Sequence, residues 1–201
     1  KMSFFEGASR VPLMISGPGI GRDTVLDPVS TIDVMPTLCD MAGISLTEVK
    51  PWTEGESLLP LLKGQPRAAP VAMEYAAEGS YSPLVSLRSG PWKYNRCALD
   101  PDQLYNLQDA PHELDNLADD PSCAAILADL KTQSQDRWDL EAVDAAVRES
   151  QARRLVVYDA LRNGNYYPWD HQPLQDASER YMRNHFDLNV VEETQRFPRK
   201  G

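Results

Sequence analysis

Lys1-Met2-Ser3-Phe4-Phe5-Glu6-Gly7-Ala8-Ser9-Arg10-Val11-Pro12 runs directly into an apolar segment, Leu13-Met14-Ile15. A charged residue, a glycine, an arginine and a proline stand close together, and the apolar run follows at once. That order reads as a shaped loop entering a strand. Val11 to Ser16 is expected to be a buried strand, closed by Gly17-Pro18-Gly19. Gly7 is expected to allow a backbone shape that a Cβ would block. Arg10 is expected to pair with a carboxylate and hold the loop.

Beyond this stretch a loop runs to Pro28. Ser30 or Thr31 then offers a helix N-cap, with Asp33 near the first turn. Ile32, Met35, Leu38, Cys39 and Ala42 fall on one helical face, which predicts burial of that face. Pro36 fits if the helix starts just before it, and Gly43 supplies the stop. Residues 55–64 read as a short apolar helical turn between glycines, and Gln65 to Pro70 as a surface linker. Strands are predicted at 71–75, 84–89, 92–96 and 103–106, with Ser89-Gly90-Pro91 as a hairpin turn. They would form a small antiparallel sheet with one face needing cover. Cover is offered by a helix opening at Pro121-Ser122, with Ile126, Leu127 and Leu130 at helical spacing, running through Trp138 toward Val147. A further helix is predicted from Arg153 to Arg162, stopped by Asn163-Gly164, and a short one from Asp176 to Asn184.

The chain has 201 residues, 42% hydrophobic and 25% charged, and can bury a core. No apolar run approaches the roughly 20 residues of a membrane span. The net charge of −10 argues against nucleic acid as a partner. Residues 151–201 hold 8 basic and 7 acidic side chains, whereas the first 150 hold 12 and 23, which suggests a boundary near residue 150. Cys39, Cys97 and Cys123 are widely spaced and odd in number, so they read as reduced core thiols. A reducing, cytoplasmic location is the expectation.

Four pieces of the chain, in order, resemble the C-terminal portion of the type I sulfatases of the alkaline-phosphatase-like superfamily. They are Lys1 with Glu6-Gly7 and Arg10-Val11-Pro12; Ser30, Asp33 and Pro36-Thr37-Leu38 with Ala42-Gly43; Gly55, Ser57-Leu58, Pro60-Leu61-Leu62 and Gly64; and Leu104-Tyr105-Asn106-Leu107 with Glu113 and Asn116-Leu117-Ala118. The tail narrows the match. Tyr158-Asp159-Ala160-Leu161-Arg162, Trp169-Asp170, Gln172-Pro173-Leu174 and Ala177 to His185 resemble the extra C-terminal segment of choline sulfatases. The resemblance implies an α/β protein in three parts. Residues 1–68 would end the catalytic domain, 69–150 would form a sheet-plus-helix subdomain, and 151–201 a helical and extended tail.

The resemblance also implies an activity, hydrolysis of choline-O-sulfate to choline and sulfate, with a small-molecule sulfate ester as substrate. Lys1 takes the role of the ammonium that grips the sulfate, since a fixed cation favours charge moving onto the bridging oxygen. Choline has no N–H to donate, so aromatic faces with a nearby carboxylate suit it. The tail offers Tyr166, Tyr167, Trp169 and Phe186, with Asp187 as the substrate-binding carboxylate, and an extended tail suits exchange between subunits of a homo-oligomer. Sulfatases use a formylglycine made from a cysteine in a Cys-x-Pro/Ser-x-Arg motif, and a calcium or magnesium ion. None of the three cysteines lies in such a motif, so the formylglycine and metal are expected upstream and the chain alone is expected to be inactive. His112, His171 and His185 have no ligand spacing. Gly17-x-Gly19-x-Gly21 lacks the Lys-Ser/Thr of a phosphate loop and reads as a turn. Two alternatives stay open: another alkyl or aryl sulfate or a phosphonate ester as substrate, and a non-catalytic module that assembles with a partner chain.

Overall fold

A computed structural model of the chain describes residues 3–67, 69–77 and 80–164. The chain divides into two compact units, Lys1–Ala145 and Ala146–Gly201. The first opens with a one-turn helix α1 (Glu6–Ser9), then a 3-10 turn (Thr31–Asp33) leading into α2 (Val34–Met41), α3 (Leu46–Val49) and α4 (Leu59–Leu62). Four strands follow: β1 (Val71–Tyr75), β2 (Leu84–Ser89), β3 (Trp92–Cys97) and β4 (Gln103–Asn106). Helix α5 (Ala124–Arg137) comes next, and α6 (Leu140–Arg162) begins in the first unit and supplies the described helical residues of the second.

The strands form an antiparallel sheet in the order β1-β2-β3-β4. Ser89 pairs with Trp92 across the two-residue turn Gly90-Pro91, where Gly90 adopts φ +49°, a value that favours glycine. Register then sorts the side chains into two faces. Ala72 pairs with Leu87, Leu87 with Tyr94, and Tyr94 with Leu104. These residues make the apolar face, and Leu87, Tyr94 and Leu104 pack with Cys123 and Leu130 from the α5 side and with Trp138 and Leu140. Each fully buried leucine contributes about 1.5–3 kcal/mol. The opposite face carries Ser86, Lys93, Asn95 and Tyr105, all buried.

Three expectations are corrected. Residues 11–16 form no strand, and Val11, Leu13 and Met14 are exposed. A strand needs a ladder partner for its backbone groups, and the described residues offer this segment none. On α2 the buried side chains are Pro36 and Thr37, preceded by Asp33, whereas Ile32, Met35 and Leu38 face outward. The apolar stripe is real, but its cover does not lie among the described residues. Finally, the helix opening at Pro121 stops at Arg137. Trp138 turns extended (φ −131°, ψ 122°) and buries its ring, and its indole N–H donates to Glu74 Oε1 at 2.6 Å. Asp139 Oδ1 accepts the N–H groups of Glu141 and Ala142 at 3.1 and 3.0 Å and so caps a new helix. That helix runs unbroken to Arg162, where Asn163-Gly164 ends it as the sequence predicts.

The glycine run is a turn, with Ile20 N–H donating to the Gly17 carbonyl at 3.2 Å. Of the three free thiols, Cys123 lies in the core, while Cys39 and Cys97 are half-buried.

Candidate functional site

Lys1 and Asp187 lie outside the described residues, as do Tyr166, Tyr167, Trp169, Phe186, His171 and His185. Phe4 to Ser9, the segment that follows Lys1, lies within the described residues. Residues 6–9 wind one turn because Ser9 N–H bonds the Phe5 carbonyl and Arg10 N–H the Glu6 carbonyl, both at 3.0 Å. The Ser9 hydroxyl folds back onto the carbonyls of Phe4 and Phe5 at 2.9 and 3.2 Å. Phe5 lies 6.1 Å from the Tyr105 ring in a tilted arrangement.

The turn is fastened to the polar face of the sheet by Lys93 and Glu113. The Lys93 ammonium, with 1% of its side chain exposed, meets Glu6 Oε1 at 2.6 Å and Glu113 Oε1 at 2.8 Å. It also donates to the Phe4 carbonyl at 2.7 Å. The other oxygen of Glu113 accepts the Glu6 N–H at 2.5 Å. Glu113 holds this place with φ +54°, the one left-handed non-glycine among the described residues. Burial lowers the pKa of the nearby Arg88 guanidinium, and the carboxylates of Glu6 and Glu113 oppose that shift. Burial likewise raises the pKa of the Tyr105 phenol, with the Glu113 charge adding to it.

Two sequence expectations fail here. Gly7 has open space where a Cβ would go and needs no left-handed conformation. Arg10 is exposed and makes no ion pair among the described residues. The anchor is Lys93 instead. Its only sequence signal was a lysine in phase with Asn95 on a strand whose alternate positions, Trp92 and Tyr94, pack the core.

A second polar knot shapes the region after it. Asp33 is fully buried and accepts from Ser30 N–H at 2.7 Å, Glu56 N–H at 2.9 Å and Arg67 Nη1 at 2.7 Å. Thr37 donates to the Asp33 carbonyl at 2.6 Å and accepts Leu58 N–H at 2.9 Å. Gly55 passes so close that a Cβ would lie 2.1 Å from the Ile32 carbonyl oxygen. Beside this knot a cleft of about 350 Å³ is lined by Pro36, Val49, Leu58, Leu61 and Arg67 among others. The remaining motif is equally structural. Asn116 Oδ1 accepts Leu104 N–H at 2.9 Å, and Leu117 N–H meets the Leu104 carbonyl at 2.8 Å, which holds β4 in register. The described residues hold no group of three His, Cys, Asp or Glu side chains able to share an ion, so they do not fit a divalent metal.

Two family descriptions match the chain: N-sulphoglucosamine sulphohydrolase, C-terminal, over residues 1–139, and choline sulfatase enzyme C terminal, over residues 145–197. A choline-sulfatase of Rhizobium meliloti (strain 1021) is 61% identical over 99% of this chain and 40% of its own length. An arylsulfatase K of Danio rerio is 39% identical over 59% of this chain and 24% of its own length. A solved structure from Bacteroides thetaiotaomicron VPI-5482, described as a sulfatase, superposes with TM-score 0.57 at 32% identity, covering 68% of this chain and 31% of that one. The chain thus spans less than half the length of the relatives it matches. With a family description matched over residues 1–139 and 61% identity along nearly the whole chain, the chain belongs to the sulfatase family described as N-sulphoglucosamine sulphohydrolase, C-terminal, and corresponds to the C-terminal portion of such an enzyme.

Proposed function

We propose that this chain completes a sulfuric ester hydrolase acting on choline-O-sulfate, releasing choline and sulfate. One observation carries the reading: the 61% identity to a choline-sulfatase extends over 99% of the chain, tail included. The first 139 residues match sulfatases of differing substrates, so the match of residues 145–197 to the choline sulfatase C-terminal family supports choline in particular.

In this reading Lys1 sets its ammonium beside the sulfate oxygens. Charge builds on the bridging oxygen as the S–O bond breaks, and a cation fixed beforehand lowers that barrier. Asp187 and the tail aromatics receive the quaternary ammonium of choline, which only charge and π faces can hold. Residues of the complete enzyme that precede Lys1 supply the formylglycine and the divalent ion. The outward-facing Ile32, Met35 and Leu38, with Leu13 and Met14, support a chain that packs against such residues.

The test is sulfate release by the full-length enzyme. Lys1→Ala is expected to lower turnover of choline-O-sulfate and of p-nitrophenyl sulfate alike. Asp187→Ala is expected to raise KM for choline-O-sulfate by tenfold or more relative to p-nitrophenyl sulfate. Equal effects of Asp187→Ala on the two esters would remove the choline-binding role.

A further inference from the structure

Lys93 sits on β3 of the sheet subdomain, 89 residues from Phe4, yet its ammonium is spent on the segment that follows Lys1. Its three oxygens are Glu6 Oε1, the Phe4 carbonyl and Glu113 Oε1, one for each N–H of an ammonium. Glu113 closes the ring by accepting the Glu6 N–H. Lys93 is thus the cation that pairs with both carboxylates, while the Arg88 guanidinium, which donates to the Trp92 carbonyl at 3.2 Å, feels the charges of Glu6, Glu113 and Arg10.

Such a knot is poorly explained by stability. A buried ion pair seldom outperforms apolar side chains of the same volume. What it does supply is geometry, because each contact has one distance and one direction. Three of its four bonds end on Phe4 or Glu6. Lys1 is three residues before Phe4, and three extended residues span at most about 11 Å. Fixing Phe4 therefore fixes one end of the short tether that carries Lys1, and an error of about 1 Å in a reacting group can cost about 100-fold in rate.

We infer that Lys93 and Glu113 are positioning residues for Lys1, acting on sulfate-ester turnover by clamping Phe4–Glu6 to the sheet. The inference rests on the reading of Lys1 as the sulfate-gripping ammonium.

The experiment is a double-mutant cycle in the full-length enzyme, measuring kcat and KM for choline-O-sulfate and p-nitrophenyl sulfate. Glu113→Gln replaces one accepting oxygen with a donor. It is expected to lower kcat about 10- to 100-fold on both esters with KM changed less than threefold. In a Lys1→Ala background the same substitution is expected to cost less than twofold more, because the residue it positions is gone. Glu6→Gln, on a more exposed side chain, keeps the backbone bonds and serves if Glu113→Gln does not fold; a smaller, equally non-additive loss is expected. Hydrogen exchange at Ala8, Ser9 and Arg10 should quicken in both variants. Full additivity with Lys1→Ala, or wild-type kcat with slowed folding alone, would overturn the positioning role while leaving Lys1 in place. Unchanged turnover in Lys1→Ala alone would overturn the reading of Lys1 and this inference with it.

Discussion

Arg67 reaches back 34 residues to Asp33, with Nη1 2.7 Å from Oδ2 and Nη2 3.3 Å from Oδ1. The carboxylate has no solvent exposure and Arg67 has 9%. Nε of the same guanidinium donates to the Ala69 carbonyl at 3.0 Å, so one side chain ties the helical region to the linker that leads into β1.

Breaking that pair should be costly. Arg67→Ala leaves a buried charge with only two backbone donors, and removing one partner of a buried pair costs about 3–5 kcal/mol. The expected outcome is a Tm lower by about 3–5 °C in the full-length enzyme. A shift under about 2 °C in a thermal melt would show that water replaces the guanidinium.

Gly55 and Gly7 should separate sharply. A methyl at Gly55 meets backbone atoms of Ile32 at 2.1 and 2.6 Å, which no rotamer can relieve, whereas Gly7 has nothing within 4 Å. Gly55→Ala is expected to destabilise by about 3 kcal/mol or more through overpacking. Gly7→Ala in this 201-residue chain is expected to be neutral or to stabilise α1 by up to about 1 kcal/mol. Chemical denaturation midpoints distinguish the two.

Tyr94 gives a pH signature. Burial raises the pKa of its phenol, and donation to Asp102 Oδ1 at 2.9 Å raises it further. A raised folded pKa means that the stabilisation is complete below the unfolded value of about 10 and is lost as pH climbs toward the folded one. Wild type should therefore lose stability above about pH 10 more steeply than Tyr94→Phe, whose phenyl ring does not ionise. Tm measured from pH 8 to pH 11 checks this; parallel curves would show that other groups dominate.

Trp138 should be the main side chain joining α5, Leu140 and the sheet. It is 5% exposed and shares the core with Leu140 and Tyr94. Trp138→Ala is expected to cost about 3–5 kcal/mol. Trp138→Phe, which keeps an aromatic six-membered ring but loses the pyrrole half and its N–H bond to Glu74, should cost less, about 1–3 kcal/mol. Urea titration of both variants measures the difference.

The sheet was legible because its signals are local. Three strands, 71–75, 84–89 and 103–106, match the expected bounds, and the other gains only Cys97. Alternation and the Gly90-Pro91 turn sufficed there. The stripe of Ile32, Met35 and Leu38 was legible as apolar but not as outward, since periodicity reports that a face wants cover and not where the cover resides. Residues 11–16 misled for the same reason. Lys93 and Arg67 were missed because their partners are distant in the chain, and a charge on a strand or in a linker ordinarily points to solvent. The motif carrying Glu113 and Asn116 was visible as a pattern, yet only the geometry assigned each residue its bond.

Glu113 sits at a position whose backbone favours glycine or asparagine and whose surroundings demand a carboxylate. Descendants of this protein are thus free to relax the left-handed turn only by giving up the acceptor that Lys93 needs. Drift at residue 113 should leave a trace at residue 93: the two sites are expected to be inherited, or replaced, as a pair.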